Sequence, residues 1–243
     1  MERRIGIRVG AAVPDSEHQT EGSRDPFLSR RETPKGFLIA ASMANIPELR
    51  VPSLPPKGRL VELPALRLVD ARRGEPVRLK TALRLGVRSG ALCVRFDGRD
   101  EGVVATHTRR DAPLWEEDVY EVFLAPGDEP PRLYYELEVN PLGTLFDARV
   151  ASPDLRRATM HADASWECRG FAARVRRGAR RWSASLTIPL AELCPGTPPS
   201  VWRANFYRID RGAKDEFSAW SPTFADPPDF HAPERFGILR LAD

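Results

Sequence analysis

From position 79 onward the chain keeps a two-residue rhythm, and that rhythm restricts it to sheet. The clearest stretch is 181–188. Trp182, Ala184, Leu186 and Ile188 are apolar, and Arg181, Ser183, Ser185 and Thr187 between them are polar. Successive side chains of a strand point to opposite faces, so this segment buries one face and leaves the other wet. Segments 80–85, 92–96, 103–106, 119–124, 133–139, 144–150, 171–175, 202–209, 217–220 and 236–241 read as further strands. Between them lie turn-forming residues: Arg88-Ser89-Gly90, Ala125-Pro126-Gly127-Asp128, Asn140-Pro141-Leu142-Gly143 and Gly178. After residue 75 no segment offers three turns of helix; residues 189–193 have room for one. Without a βαβ rhythm, a Rossmann fold or an α/β barrel is excluded. So many two-faced strands are best satisfied by packing sheet on sheet. The expected fold class is all-β, an antiparallel β-sandwich of jelly-roll type.

The N-terminal third is patterned differently. Residues 1–34 are polar and charged, which predicts a flexible tail. A proline-rich connector follows, with an edge strand expected at 60–68. The expected organisation is a tail over 1–34 and a single sandwich domain over 35–243. Hydrophobic residues make up 42% of the chain, enough for a core that needs no staples. Cys93, Cys168 and Cys194 are too widely spaced for a zinc site and odd in number, so they read as core thiols that suit a reducing compartment. The formal net charge of +3 is spread over the chain with no nucleic-acid-binding motif, so a nucleic-acid partner is not expected. Neither an apolar leader nor a membrane-length apolar run is visible, and the sequence alone predicts a cytoplasmic protein without membrane contact.

The segment from Arg109 to Phe123 carries the most chemical information. Glu121 lies between Val119 and Phe123 on one strand face, and a carboxylate there must line a groove or find hydrogen bonds. Tyr134, Glu136 and Glu138 share a face of the strand at 133–139, a set too polar for a core and therefore expected at solvent or a cleft. Trp115, in the preceding loop, could stack on the apolar face of a sugar ring or cap the core. Asn205, Tyr207 and Arg208, on or near the strand at 202–209, could supply hydrogen-bond donors or simply decorate it.

These strings resemble carbohydrate-binding modules of family 9. Pro113 to Phe123 is similar to the family's tryptophan, acidic cluster and valine-glutamate-aromatic strand. Tyr134 to Gly143 resembles the next strand and its Asn-Pro-x-Gly turn. Ala219-Trp220-Ser221-Pro222 and Phe236-Gly237-Ile238-Leu239 resemble the closing motifs. The resemblance covers roughly residues 75–243. It implies a sandwich that binds glucan or xylan fragments and chain ends between two aromatic rings. The first ring matches Trp115 and the second, a tryptophan in the family, matches Phe230; the family glutamate matches Glu121. Where binding members place a sugar-contacting arginine, this chain has Glu138, which exchanges donors for acceptors and adds negative charge. The resemblance also implies a structural calcium, with Asp118, Asp147 and Asp210 as oxygen donors, and the family is often secreted.

The sequence therefore predicts a non-catalytic binder of neutral mono- or oligosaccharides through an aromatic slot. Its proposed contacts are Trp115, Glu121, Glu136, Glu138, Asn205, Tyr207, Arg208 and Phe230. The alternatives are a sandwich of the same type with a degenerate pocket, serving a structural or protein-interaction role, and a glycoside hydrolase built on the glutamates. The histidines His18, His107, His161 and His231 have no metal-site spacing.

Overall fold

The computed structural model describes residues 46–242. The expected tail over 1–34 lies outside the described residues. The strands are β1 (Glu48–Val51), β2 (Leu66–Arg67), β3 (Val69–Asp70), β4 (Thr81–Arg88), β5 (Ala91–Arg99), β6 (Val119–Pro126) and β7 (Leu133–Val139). They continue as β8 (Leu145–Ala151), β9 (His161–Asp163), β10 (Ala172–Gly178), β11 (Arg181–Pro189), β12 (Val201–Asp210), β13 (Glu216–Ala219) and β14 (Gly237–Leu241). The larger sheet runs β1-β14-β12-β6-β7-β8-β9, with β13 and β3 extending from β12. The smaller runs β10-β11-β5-β4-β2. The pairing is antiparallel apart from β1 against β14, so the structure is the expected β-sandwich.

The rhythm of the sequence decides what lies between the sheets. Trp182, Ala184, Leu186 and Ile188 of β11 join Leu92, Val94 and Phe96 of β5, all fully or almost fully buried. From the larger sheet Tyr120, Val122, Leu124, Leu137, Val139, Trp202, Ala204 and Phe206 meet them. The Tyr120 ring is stacked between Phe96, at 4.5 Å, and Trp182, at 3.8 Å. At the hairpin between β4 and β5, Ser89 and Gly90 both have positive φ, 50° and 73°. That conformation matches the twist of the flanking strands.

Two expected strands changed on folding. Residues 103–106 do not join a ladder, because their amides are taken by carboxylates. Asp118 Oδ2 accepts from Val104 N at 2.8 Å, and Glu117 Oε2 accepts from Thr106 N at 2.5 Å. The stretch at 60–68 contracts to a 3-10 turn at Leu60–Glu62 and the two-residue β2.

The outer face of the larger sheet is also covered. Val119, Phe123, Tyr134, Phe146, Ala148, Val150, Tyr207 and Ile209 form a second apolar cluster on it. Loops bring Ala112, Leu114, Phe230 and Phe236 down over them, with Trp115 packed at the side. This second, loop-covered layer positions the candidate site.

Candidate functional site

β6 and β7 pair so that Glu121 stands directly opposite Glu138, while Glu136 is opposite Phe123. The period of two puts all three glutamates on the outer face, beneath the loops. Their expected exposure at solvent or a cleft is corrected: Glu121 is 2% exposed, Glu136 6% and Glu138 0%, and Tyr134 is fully buried. The loop layer is what the strand pattern could not report. One oxygen from each glutamate lies within 4.8 Å of the others. Like charges set directly opposite on neighbouring strands repel. Burial first, and the neighbouring carboxylates second, push Glu121 and Glu138 well above the ordinary carboxyl range.

Hydrogen bonding does not relieve this. Glu121 Oε1 and both oxygens of Glu138 are buried without a donor. At the side of the group, His231 Nε2 is 3.9 Å from Glu136 Oε1, and its Nδ1 is 2.7 Å from the Tyr134 hydroxyl. His231 was not singled out by any spacing in the sequence; its place beside Phe230, in the proline-stiffened loop, was the available signal.

The other expected contacts are distributed unevenly. Trp115 is half-buried, its ring edge-on to Phe146 at 5.2 Å, and Phe146 is the cross-strand neighbour of Glu138. Phe230 is 7% exposed and lies flat on Tyr207, with ring centroids 4.1 Å apart. Tyr207 donates its hydroxyl to the Phe230 carbonyl at 2.9 Å. Asn205 clamps the backbone of Ser221, donating to its carbonyl at 2.8 Å and accepting from its amide at 2.9 Å. Arg208 is not brought to the glutamates. Its register partner is Tyr120, so it points to the opposite face of the sheet.

There Arg208 sits among a second acidic trio, Asp100, Asp118 and Asp210. Its Nη2 is 3.2 Å from Asp100 Oδ2 and 2.5 Å from Asp210 Oδ2. Backbone amides of Gly102, Val104, Arg211 and Gly212 reach the other oxygens of the trio at 2.7–3.3 Å. Gly98 makes room for this, since a Cβ there would overlap the Tyr120 hydroxyl and the Arg208 guanidinium. Every carboxylate oxygen of the trio is therefore used, and the centre is held by a guanidinium. These residues do not fit the calcium implied by the sequence resemblance. Asp147, the third aspartate named for it, is elsewhere, paired with Arg110 and accepting from Cys168 N at 2.5 Å.

A family model for carbohydrate-binding family 9 matches residues 74–241, most of the chain. The chain belongs to carbohydrate-binding family 9. Among solved structures, it is similar to a candidate carbohydrate-binding protein from Bacteroides uniformis, with a TM-score of 0.67 and 19% identity, covering 82% of this chain and 100% of that one. A family 9 module from Caldicellulosiruptor kristjanssonii, solved with glucose, aligns with a TM-score of 0.51 and 14% identity over 81% of this chain and 96% of the module. Its complex with cellotriose gives the same score and identity over 80% and 93%. At these identities the likeness establishes the shared fold. An extracellular protein of Arthroderma benhamiae is 29% identical over 139 residues, or 53% of this chain and 63% of that protein. The chain thus spans less than two thirds of that relative's length.

Proposed function

We propose that this chain is a non-catalytic module that binds neutral saccharides, fragments or chain ends of glucan or xylan type, on the outer face of its larger sheet. The observation that carries the reading is the gathering of Glu121, Glu136 and Glu138, with unpartnered oxygens on Glu121 and Glu138, beside aromatic rings in a family 9 sandwich. Sugar hydroxyls are the polar partners such oxygens lack. With their acidity suppressed, Glu121 and Glu138 can be protonated, and a protonated carboxyl both donates and accepts. Trp115 supplies the ring wall. Phe230, stacked on Tyr207, belongs to the loop layer that covers the site. A group of carboxyls without a cationic partner offers an anionic ligand such as a uronic acid no counter-charge. Related family 9 structures hold glucose and cellotriose, which supports the ligand class.

Catalysis is not part of the proposal. A retaining glycosidase sets its two carboxyls about 5–5.5 Å apart across the scissile bond. Here all three carboxyls project from one sheet face, with none placed across a bound sugar from the others. A second reading, a closed sandwich with a structural or interaction role, is favoured by the burial of Phe230 and of all three glutamates. Calorimetric titration with glucose, xylose, cellobiose and xylobiose separates the two. Saccharide binding predicts weak, saturable heats at Kd about 0.1–10 mM, or roughly −3 to −5 kcal/mol, lost in Trp115→Ala. No heat from any of the four would favour the closed sandwich.

A further inference from the structure

The two acidic trios pose the same physical problem, and among the described residues only one of them is given a cationic partner. Asp100, Asp118 and Asp210 surround Arg208 and take up backbone amides, so each oxygen has a partner. Glu121, Glu136 and Glu138 are as deeply buried and as close together, yet the described residues place no cationic side chain in ion-pair contact with them unless His231 is protonated. The charge of Arg211 acts on Glu121, but its guanidinium is engaged with Asp215 and the Trp115 carbonyl. Glu138 is the sharpest case, with 0% exposure and no partner for either oxygen beyond the neighbouring Glu136 carboxyl. An isolated buried carboxylate is among the costliest groups a protein can hold, and such groups pair, take a proton or coordinate a metal.

We propose that Glu121, Glu136 and Glu138 form a binding site for a hard divalent cation of the calcium class. Calcium takes carboxylate oxygens at about 2.3–2.6 Å in flexible geometry, and oxygens separated by no more than twice that distance can share one ion. The trio meets this with a separation within 4.8 Å. Magnesium keeps several waters and suits dedicated all-protein cages less well. Burial from two paired strands fixes the donors, and the cation supplies the charge that Arg208 supplies to the other trio. His231, oriented through the Tyr134 hydroxyl, lies where it can bond to Glu136 from outside the donor set and hold its carboxylate. Three carboxylates leave calcium short of its six to eight ligands, so positions remain for water or for saccharide hydroxyls. The site does not rest on the saccharide reading, because the cation is bound by the protein alone.

The test uses the full chain, stripped with chelator and free of sugar. Calcium and manganese are titrated by calorimetry and by thermal melting, and manganese also by NMR line broadening. The expected results are one saturable site, a rise in Tm of several degrees with calcium, and manganese broadening centred on Tyr134 and His231. Glu138→Gln and Glu121→Gln, checked for native circular dichroism, should each weaken affinity at least tenfold. Asp100→Asn should leave it unchanged. Absence of saturable binding of either ion up to about 10 mM, roughly ten times the weak end for calcium sites, would overturn the proposal and leave protons as the neutralising species. Binding that survives both glutamate variants, or broadening centred away from His231, would overturn it equally. Neither failure touches the saccharide titration, which is run in chelated protein.

Discussion

Arg208→Met removes the guanidinium paired with Asp100 and Asp210 and should cost about 3–5 kcal/mol, the usual consequence of stripping one partner from a buried ion pair. Arg208 is 1% exposed and is hydrogen-bonded to Asp100, Asp210, Thr81 Oγ1 at 3.2 Å and the Leu79 carbonyl at 3.3 Å. Methionine fills similar volume, so the loss is mainly electrostatic. Two acceptors for Nη2 are then left buried without a positive partner. Against a total stability of about 5–15 kcal/mol the loss is large. At roughly 2–4 °C per kcal/mol for a chain of this size, Tm should fall by about 6–20 °C. Urea denaturation at pH 7 measures the effect directly. Adding Asp100→Asn and Asp210→Asn to Arg208→Met should restore most of the loss, because a buried ion cluster replaced by neutral groups of like volume is often neutral in stability. If Arg208→Met costs less than about 1 kcal/mol, the trio does not depend on its resident cation. The contrast with the glutamate trio would then lose its basis.

Other outcomes follow from the same geometry. In chelated protein, Glu138→Gln should stabilise by about 1–3 kcal/mol, and the gain should depend on pH. The folded pKa of Glu138 is raised, so its favourable contribution is complete below the unfolded value of 4.5 and is lost as pH rises through the folded value. The variant should therefore match the parent near pH 4 and exceed it increasingly above pH 4.5; a constant difference across pH would contradict this. Phe230→Ala should cost about 3 kcal/mol or more by urea denaturation, since it empties a buried position stacked on Tyr207. A loss under 1 kcal/mol would mean that the ring stands free of the core. Xylan, cellulose and aryl glycosides should show no turnover above buffer; reducing-sugar release abolished by Glu121→Gln or Glu136→Gln would establish an enzyme.

How much could be read from the sequence varies with what each residue faces. The alternation at 181–188 gave β11 its inner face because period-two patterning and burial coincide there. Arg208 could have been separated from Tyr207 by the same rule, since adjacent strand residues point to opposite faces. Tyr134, Glu136 and Glu138 resisted it. A strand face with two carboxylates ordinarily meets water, and only the loops carrying Ala112, Leu114, Phe230 and Phe236 turn it into an interior. Those loops are long-range in sequence and have no periodicity to read. Residues 103–106 were read as a strand from apolar and β-branched composition. The carboxylates that capture their amides, Glu117 and Asp118, lie more than ten residues away. The short β1 was missed because its pairing partner, β14, is nearly the whole described chain away.

The most direct test of saccharide recognition on the outer sheet face is an NMR titration of the labelled protein with cellobiose. The Trp115 indole and the His231 imidazole serve as reporters. Recognition through the glutamate trio predicts saturable shifts at both rings and along the β6–β7 pair, with Kd about 0.1–10 mM. Shifts confined to another surface, such as the apolar cavity of about 270 Å³ lined by Leu49, Pro52, Leu66 and Leu85, or no shifts at all, would contradict it.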